Sequence, residues 1–365
     1  MHMESALVTT AVAGTMYACS AGTGVFSLKE VKLDFDKKKL PFLGVMGGFV
    51  FAAQMLNFTI PGTGSSGHLC GGMLLTALFG PYAAFLTMAA ILLVQCLFFA
   101  DGGLLALGCN IWNMAFYGCF VGYFCFYRPA VRNGLSRGKL MAVSVIGSVV
   151  TLQMGAFSVV LETLVSGITS LPFAAFAASM QPIHLAIGLV EGLITGAALL
   201  FIYEMRPGYL EGEEECEIQR AETQRAWTQR PEMKKGMKNR MGEKSLLLTM
   251  ALLTLIFAGG LSYAASSKPD GLEWSVEKAA GTVQAAGTGQ IRPEAAGTAH
   301  KLTDQLQQIT ALLPDYSWKT GDLPFGTAAA GITGSLMVAV LCAGGGALLQ
   351  KASKSPKKIG RHQER

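Results

Sequence analysis

Charged side chains are what this sequence has least of. Asp, Glu, Lys and Arg make up 15% of its 365 residues, where a soluble domain carries roughly 25%. That shortage excludes an ordinary water-soluble enzyme of this length, whose apolar residues would be broken up by polar faces. Catalytic signatures are missing too. No G-x-x-x-x-G-K-[ST] phosphate loop occurs, so the chain has no ATPase motif of its own. No H-E-x-x-H, Ser-His-Asp or paired-carboxylate pattern stands out, so the expectation is a non-enzyme with no organic cofactor and no nucleic-acid partner. Eight cysteines are present but no C-x-x-C pair, which leaves no zinc knuckle or redox pair. Seven lie in or beside apolar stretches and suit small fillers, and Cys216 lies in a charged loop. The start lacks a basic region, so no cleavable signal peptide is expected. His2 is too bulky to favour removal of the initiator, and Met1 is expected to remain the amino terminus.

What is there instead is apolar sequence in long blocks. Hydrophobic residues form 51% of the chain, and its mean hydropathy is +0.41. Blocks run over 5–27, 41–60, 68–80, 81–100, 103–127, 140–166, 182–204, 245–264 and 325–349. About 20 residues cross a bilayer core. The 68–80 block is short, and Gly80-Pro81 marks a turn between it and the next. The pattern predicts an all-α integral membrane protein of about nine passes. Basic residues orient it: all but five of the 29 fall on one side of a nine-pass arrangement, and those five share one long loop. The amino terminus is expected outside and the carboxyl terminus in the cytoplasm.

Two loops divide the chain. Residues 206–244, with Glu213-Glu214-Glu215 and then a basic run, read as a charged cytoplasmic linker. Residues 265–324 form an external loop rich in Ala, Gly and Thr; within it Leu302, Leu306, Ile309 and Leu313 suit a short surface helix. The organisation expected is a seven-span module over 1–205, the linker, a two-span module over 245–350, and a basic cytoplasmic tail over 351–365.

The residues able to carry chemistry are few. A free amine, the amide nitrogen of His2 and its imidazole Nδ1 form fused chelate rings, and a deprotonated amide favours a square-planar ion such as Ni(II) or Cu(II). The predicted topology brings His68, at the end of the Pro61–Gly67 loop, to the same face, where it would supply a fourth nitrogen. Read alone, both histidines also fit incidental exposed positions. His184 suits packing near the outer end of its span, His300 lies in the external loop and His362 in the tail. Glu162 and Glu191 lie inside apolar blocks, where acids bond to neighbouring helices or serve function. Small residues recur every four positions at Gly14, Ala18, Gly22 and at Gly326, Ala330, Gly334, a spacing that lets helices approach closely.

Several stretches resemble a known family. Met1-His2-Met3, Phe51–Thr63, Ser66-Gly67-His68-Leu69-Cys70-Gly71-Gly72, Ala100–Gly108 and Asn110 resemble the substrate-binding component of nickel/cobalt energy-coupling-factor transporters, the NikM/CbiM type, over about residues 1–205. Pro269-Asp270-Gly271-Leu272-Glu273-Trp274 and Leu313-Pro314-Asp315-Tyr316 resemble its small NikN/CbiN companion, as if the two were fused. The resemblance implies a seven-helix S-component bundle in a prokaryotic inner membrane. It implies a metal held by the Met1 amine, the His2 amide and imidazole, and the His68 imidazole, with Gln54, Asn57 and Ser66 supporting them. It also implies a transmembrane coupling subunit and cytoplasmic ATPases that drive import. Ni(II) is then the expected cargo and Co(II) the alternative; a metal-binding sensor without transport and an ion-coupled carrier are the readings from other classes.

Overall fold

The computed structural model describes residues 1–34, 39–132, 134–168, 171–212, 242–285, 297–318 and 325–354. Cys216, His362, most of the linker and the end of the tail lie outside them. The chain is mostly helical. Its first helix, α1 (Thr10–Asp34), runs past the apolar block into the lysine-bearing stretch. Next come α2 (Leu40–Gln54), a two-stranded hairpin of β1 (Phe58–Thr59) and β2 (Ser66–Gly67), and α3 (Gly72–Phe99). Then α4 begins at Leu107–Asn110, continues with wider π-type winding over Ile111–Tyr127 and ends in Arg128–Arg132. It is followed by α5 (Arg137–Ser166) and α6 (Phe173–Met205). The second module contributes α7 (Glu243–Leu255, prolonged to Ala264), α8 (Gly271–Ala285), α9 (Thr298–Thr310) and α10 (Gly326–Lys354). Among the described residues, five helical runs are long and apolar enough to cross a bilayer: Gly72–Phe99, Arg137–Ser166, Phe173–Met205, Glu243–Ala264 and Gly326–Leu349. The chain is a multi-pass membrane protein.

The first of these runs, α3, does not pass straight through. Its 28 residues would extend about 42 Å as one rod. Yet residues just before its start and just after its end, His68 and Asp101, both touch the amino terminus. The reversal lies at Gly80, whose φ of 74° and ψ of 170° break the helix ahead of Pro81. At that far end Ala77 accepts a hydrogen bond from Glu211, and Glu211 pairs with Lys39 at 3.7 Å. The Gly80-Pro81 turn legible in the sequence is thus a fold-back. Its first limb, from Gly72, is short because the buried non-helical stretch Ser65–Gly71 has already entered the bundle ahead of it.

Non-helical backbone at that depth needs internal hydrogen-bond partners. Glu191 of α6 supplies them: its two oxygens accept the amides of Cys70 (2.9 Å) and Gly71 (3.0 Å). Gln54 donates to the Cys70 carbonyl at 2.6 Å. Glu162, the other intramembrane acid, accepts from Asn113 at 2.7 Å. Both acids therefore bond to neighbouring segments. One boundary differs from the sequence expectation. The helix expected from residue 182 begins at Phe173, because Pro172 caps it and Pro182 is accommodated inside it. The Gln181 carbonyl beside Pro182 accepts the side-chain amide of Gln153 at 2.8 Å.

The second module wraps the first. Helix α10 lies on α2 so closely that a methyl group at Gly48 would sit 2.8 Å from the Ser335 carbonyl oxygen, and one at Gly334 would strike the Phe51 ring. The small residues of α10 are therefore consumed within the chain. Those of α1 are not, since a methyl at Gly14 or Gly22 would meet nothing within 4 Å. Helix α8 packs on α6, and α9 is bonded across the bundle end, with His300 donating to the Val8 carbonyl and Gln307 to those of Cys96 and Gly102.

Candidate metal-capture site

The amino terminus enters the bundle as a plug. Met3 is fully buried; its amide donates to Asn110 Oδ1 (2.7 Å), and its carbonyl accepts from Asn110 Nδ2 and the Gly103 amide. A side chain at Gly103 would overlap Ser5, so that glycine lets the two backbones lie together. These clamps deliver Met1 and His2 to one point. The Met1 amine lies 2.9 Å from His68 Nε2, and the His2 and His68 rings stack with centroids 5.1 Å apart. Residues 67 positions apart in sequence thus meet in a buried site.

Local backbone explains how His68 arrives. Gly67 ends the hairpin where a Cβ would fall 2.4 Å from Ile187, and Gly71 takes φ +84° against Val50. His68 Nδ1 donates to the Leu69 carbonyl at 3.0 Å, which leaves Nε2 with a lone pair facing the amine. Burial, then the positive amine and His2, push the His68 imidazole well below its ordinary value. Burial lowers His2 as well, against the opposing pull of Asp101. Both rings are therefore neutral donors of the kind a metal requires.

The expected supporting residues take unequal parts. Gln54 braces the loop through Cys70, as above. Ser66 joins the second module, its amide donating to the Pro269 carbonyl and its hydroxyl to that of Lys268, each at 2.8 Å. Asn57 contributes its backbone carbonyl to Ser266. His184 is buried in α6 and lines a small cavity with Met1, His68 and Cys70, while its Nδ1 donates to the Met180 carbonyl. Among the described residues no three His, Cys, Asp or Glu side chains gather as a metal cage.

Four residues at this point had no role in the sequence reading. Asp270 Oδ2 accepts from the Met1 amine at 2.6 Å. Its other oxygen accepts the Leu272 and Glu273 amides, and Glu273 returns a bond from the Asp270 amide, so Asp-Gly-Leu-Glu is a capping box at the start of α8. Gly271 lets that helix end press on α6, since a Cβ would lie 2.7 Å from Ile183. Burial alone would raise the Asp270 carboxyl, but the amine, then His68 and the donated hydrogen bonds outweigh it and hold it well below the carboxylate range. Asp101 Oδ1 lies 3.2 Å from His2 Nδ1, and Gln95 Oε1 3.2 Å from His2 Nε2. Tyr316 donates its hydroxyl to Asp101; burial, then the charge of Asp101, keep the phenol well above its ordinary value and thus protonated. A signal was available for Gln95, a lone amide in an apolar run, and for Asp270, in the Pro-Asp-Gly-Leu-Glu stretch.

Known proteins are similar in sequence to part of this chain. A relative from Archaeoglobus fulgidus, described as a fused nickel transport protein (NikMN), is 35% identical over 211 residues, covering 58% of this chain and 68% of its own. The cobalt transport protein CbiM of Sorangium cellulosum is 34% identical over 173 residues, covering 47% of this chain and 76% of that one. The crystal structure of a truncated transition metal transporter aligns with a TM-score of 0.49 at 32% identity, covering 56% of this chain and 99% of that one. The family model of the cobalt uptake substrate-specific transmembrane region matches residues 2–209, and that of the PDGLE domain matches residues 244–351. With more than half of its residues matched, the chain belongs to the cobalt uptake substrate-specific transmembrane family and carries a PDGLE domain in the same polypeptide.

Proposed function

We propose that the chain captures Ni(II) at the outer membrane face and passes it inward as the substrate-specific component of an ATP-driven importer. The observation that carries this is the pairing of the Met1 amine with His68 Nε2 at 2.9 Å. Adjacent corners of a square of nitrogens with metal bonds of about 2.0 Å are about 2.8 Å apart, so these two atoms already stand as neighbouring ligands would. The His2 amide and imidazole complete four nitrogens, with Met1, His2 and His68 as the ligand residues. A divalent ion and one deprotonated amide leave a net positive charge, and Asp270 beside the amine balances it. Relatives named for nickel and for cobalt transport support the class of cargo. The deprotonated amide favours square-planar Ni(II), and Co(II) is the alternative by the same route.

The fold-back of α3 supports nine crossings: seven in residues 1–205, then α7 and α10. The basic residues support an outside amino terminus, which makes the site external and the 206–244 linker cytoplasmic, in a prokaryotic inner membrane. The start of α8 then lies at the outer face, where Asp270 seats the amine. Without an ATPase motif, the chain would be driven by a transmembrane coupling subunit and cytoplasmic ATPases.

The test compares the purified chain with a native start against one lengthened by a few amino-terminal residues. Nickel binding by isothermal titration should be lost in the extended form, which has no free amine at Met1. Equal affinity in both would refute the ligand set. Nickel uptake that continues in cells lacking the ATPases would refute the importer.

A further inference from the structure

We infer that Tyr316 and Asp101 control when the His2 ring is free to take a metal, Tyr316 acting on His2 only through Asp101. The inference rests on the chelate described above, in which His2 Nδ1 is a ligand. In the arrangement seen, that same nitrogen faces Asp101 Oδ1 at 3.2 Å. The amine and His68 already stand as ligands would, whereas the imidazole is held aside.

How firmly it is held depends on the tautomer. A neutral imidazole, the form that binds a metal, carries one proton. That proton satisfies either Asp101, through Nδ1, or Gln95, through Nε2, and not both. Chelation through Nδ1 requires the proton on Nε2, where Gln95 Oε1 stands ready to accept it. A carboxylate left without a donor would oppose this tautomer. Tyr316 supplies that donor from the second module, so Asp101 keeps a hydrogen bond when His2 turns away.

The backbone that presents Tyr316 carries strain. Asp315 and Tyr316 are consecutive non-glycine residues at φ of 49° and 57°, a conformation that persists only where its surroundings over-determine it. Here the Tyr316 ring stacks on Phe99 at 5.2 Å, and the amides of Leu312 and Leu313 both donate to the Phe98 carbonyl. The turn is thus clamped to the end of α3 with its hydroxyl aimed at Asp101. Tyr316 and Asp101 are positioning residues for capture, and they tie the His2 ring to the second module.

The experiment measures Ni(II) association and dissociation rates by stopped flow on the full purified chain with a native start. Four forms are compared: parent, Tyr316→Phe, Asp101→Asn and the double variant. Tyr316→Phe should slow association about tenfold, the loss expected for one hydrogen bond to a charged group, and leave dissociation unchanged. In the Asp101→Asn background the same change should do nothing. Equal slowing in both backgrounds, or none in either, overturns the inference. Nitrogen-15 spectra of labelled histidine give a second readout on the single variant: the His2 proton should move from Nε2 towards Nδ1, and unchanged tautomers overturn it likewise. A parent that binds Ni(II) no better than its amino-terminally extended form would sink the chelate itself, a failure distinct from an inert Tyr316.

Discussion

Replacing Asp270 with asparagine separates its charge from its shape. Asparagine caps a helix as well as aspartate does, so α8 should keep its start, but its one amide oxygen is then spent on the cap and its NH2 group faces the Met1 amine. What is lost is the charge-assisted hydrogen bond itself, a 2.6 Å contact whose partners are 4% and 17% exposed. Hydrogen bonds to charged groups contribute about 1.5–3 kcal/mol. If the amine reacts only after local opening, its labelling rate follows the open population, and about 1.4 kcal/mol is a factor of ten. An amine-reactive reagent, read at the amino-terminal peptide by mass spectrometry, should therefore label Asp270→Asn at least about tenfold faster than the parent. Asp270→Ala should go further, because it also removes the cap, worth about 1 kcal/mol. Labelling of Asp270→Asn at the parental rate would refute the claim that this carboxylate seats the amino terminus.

Three other outcomes follow from the geometry. Glu191→Gln places an amide donor against one of the Cys70 and Gly71 N–H groups; it should cost about 1–3 kcal/mol of unfolding free energy and weaken nickel binding by displacing His68. Gly271→Ala should cost about 1–3 kcal/mol by overpacking against Ile183 and His184, whereas Gly281→Ala on the same helix meets nothing within 4 Å and should be neutral or stabilising in the same melt. Acid should loosen the site in a defined window. His2 and His68 have lowered folded values, so the unfolded chain takes up protons there that the folded one refuses. Their contribution is full above about pH 6.5 and falls below it. Asp270 is shifted down, so its contribution persists until pH falls through the carboxylate range. A His68→Gln variant should lose less stability than the parent between about pH 6.5 and 4.5, and identical profiles would contradict this.

Much of the architecture was legible because the bilayer imposes it. Long apolar blocks and sparse charge made the chain a helical membrane protein, and Gly80-Pro81 marked the fold-back, since glycine alone takes that φ freely and proline cannot continue the ladder. Met1, His2 and His68 were candidates for their chemistry, and the resemblance joined them. Asp270 and Tyr316 were visible only as parts of motifs. Nothing local assigns a capping aspartate a second task on an amine 269 positions away.

The amino-acid sequence by itself therefore determined what each segment is: which stretches are apolar enough to cross, where they break, and which few residues can donate to a metal. Tertiary structure alone decided which of those residues meet. The Asn110 clamp on Met3, the two amides accepted by Glu191 and the close approach of Gly271 to α6 bring remote segments to within hydrogen-bonding distance of one another. Hydrogen bonds of 2.6 to 3.0 Å depend on packing to a fraction of an ångström, and that precision comes from side chains interlocking across the fold rather than from the order of residues along one segment.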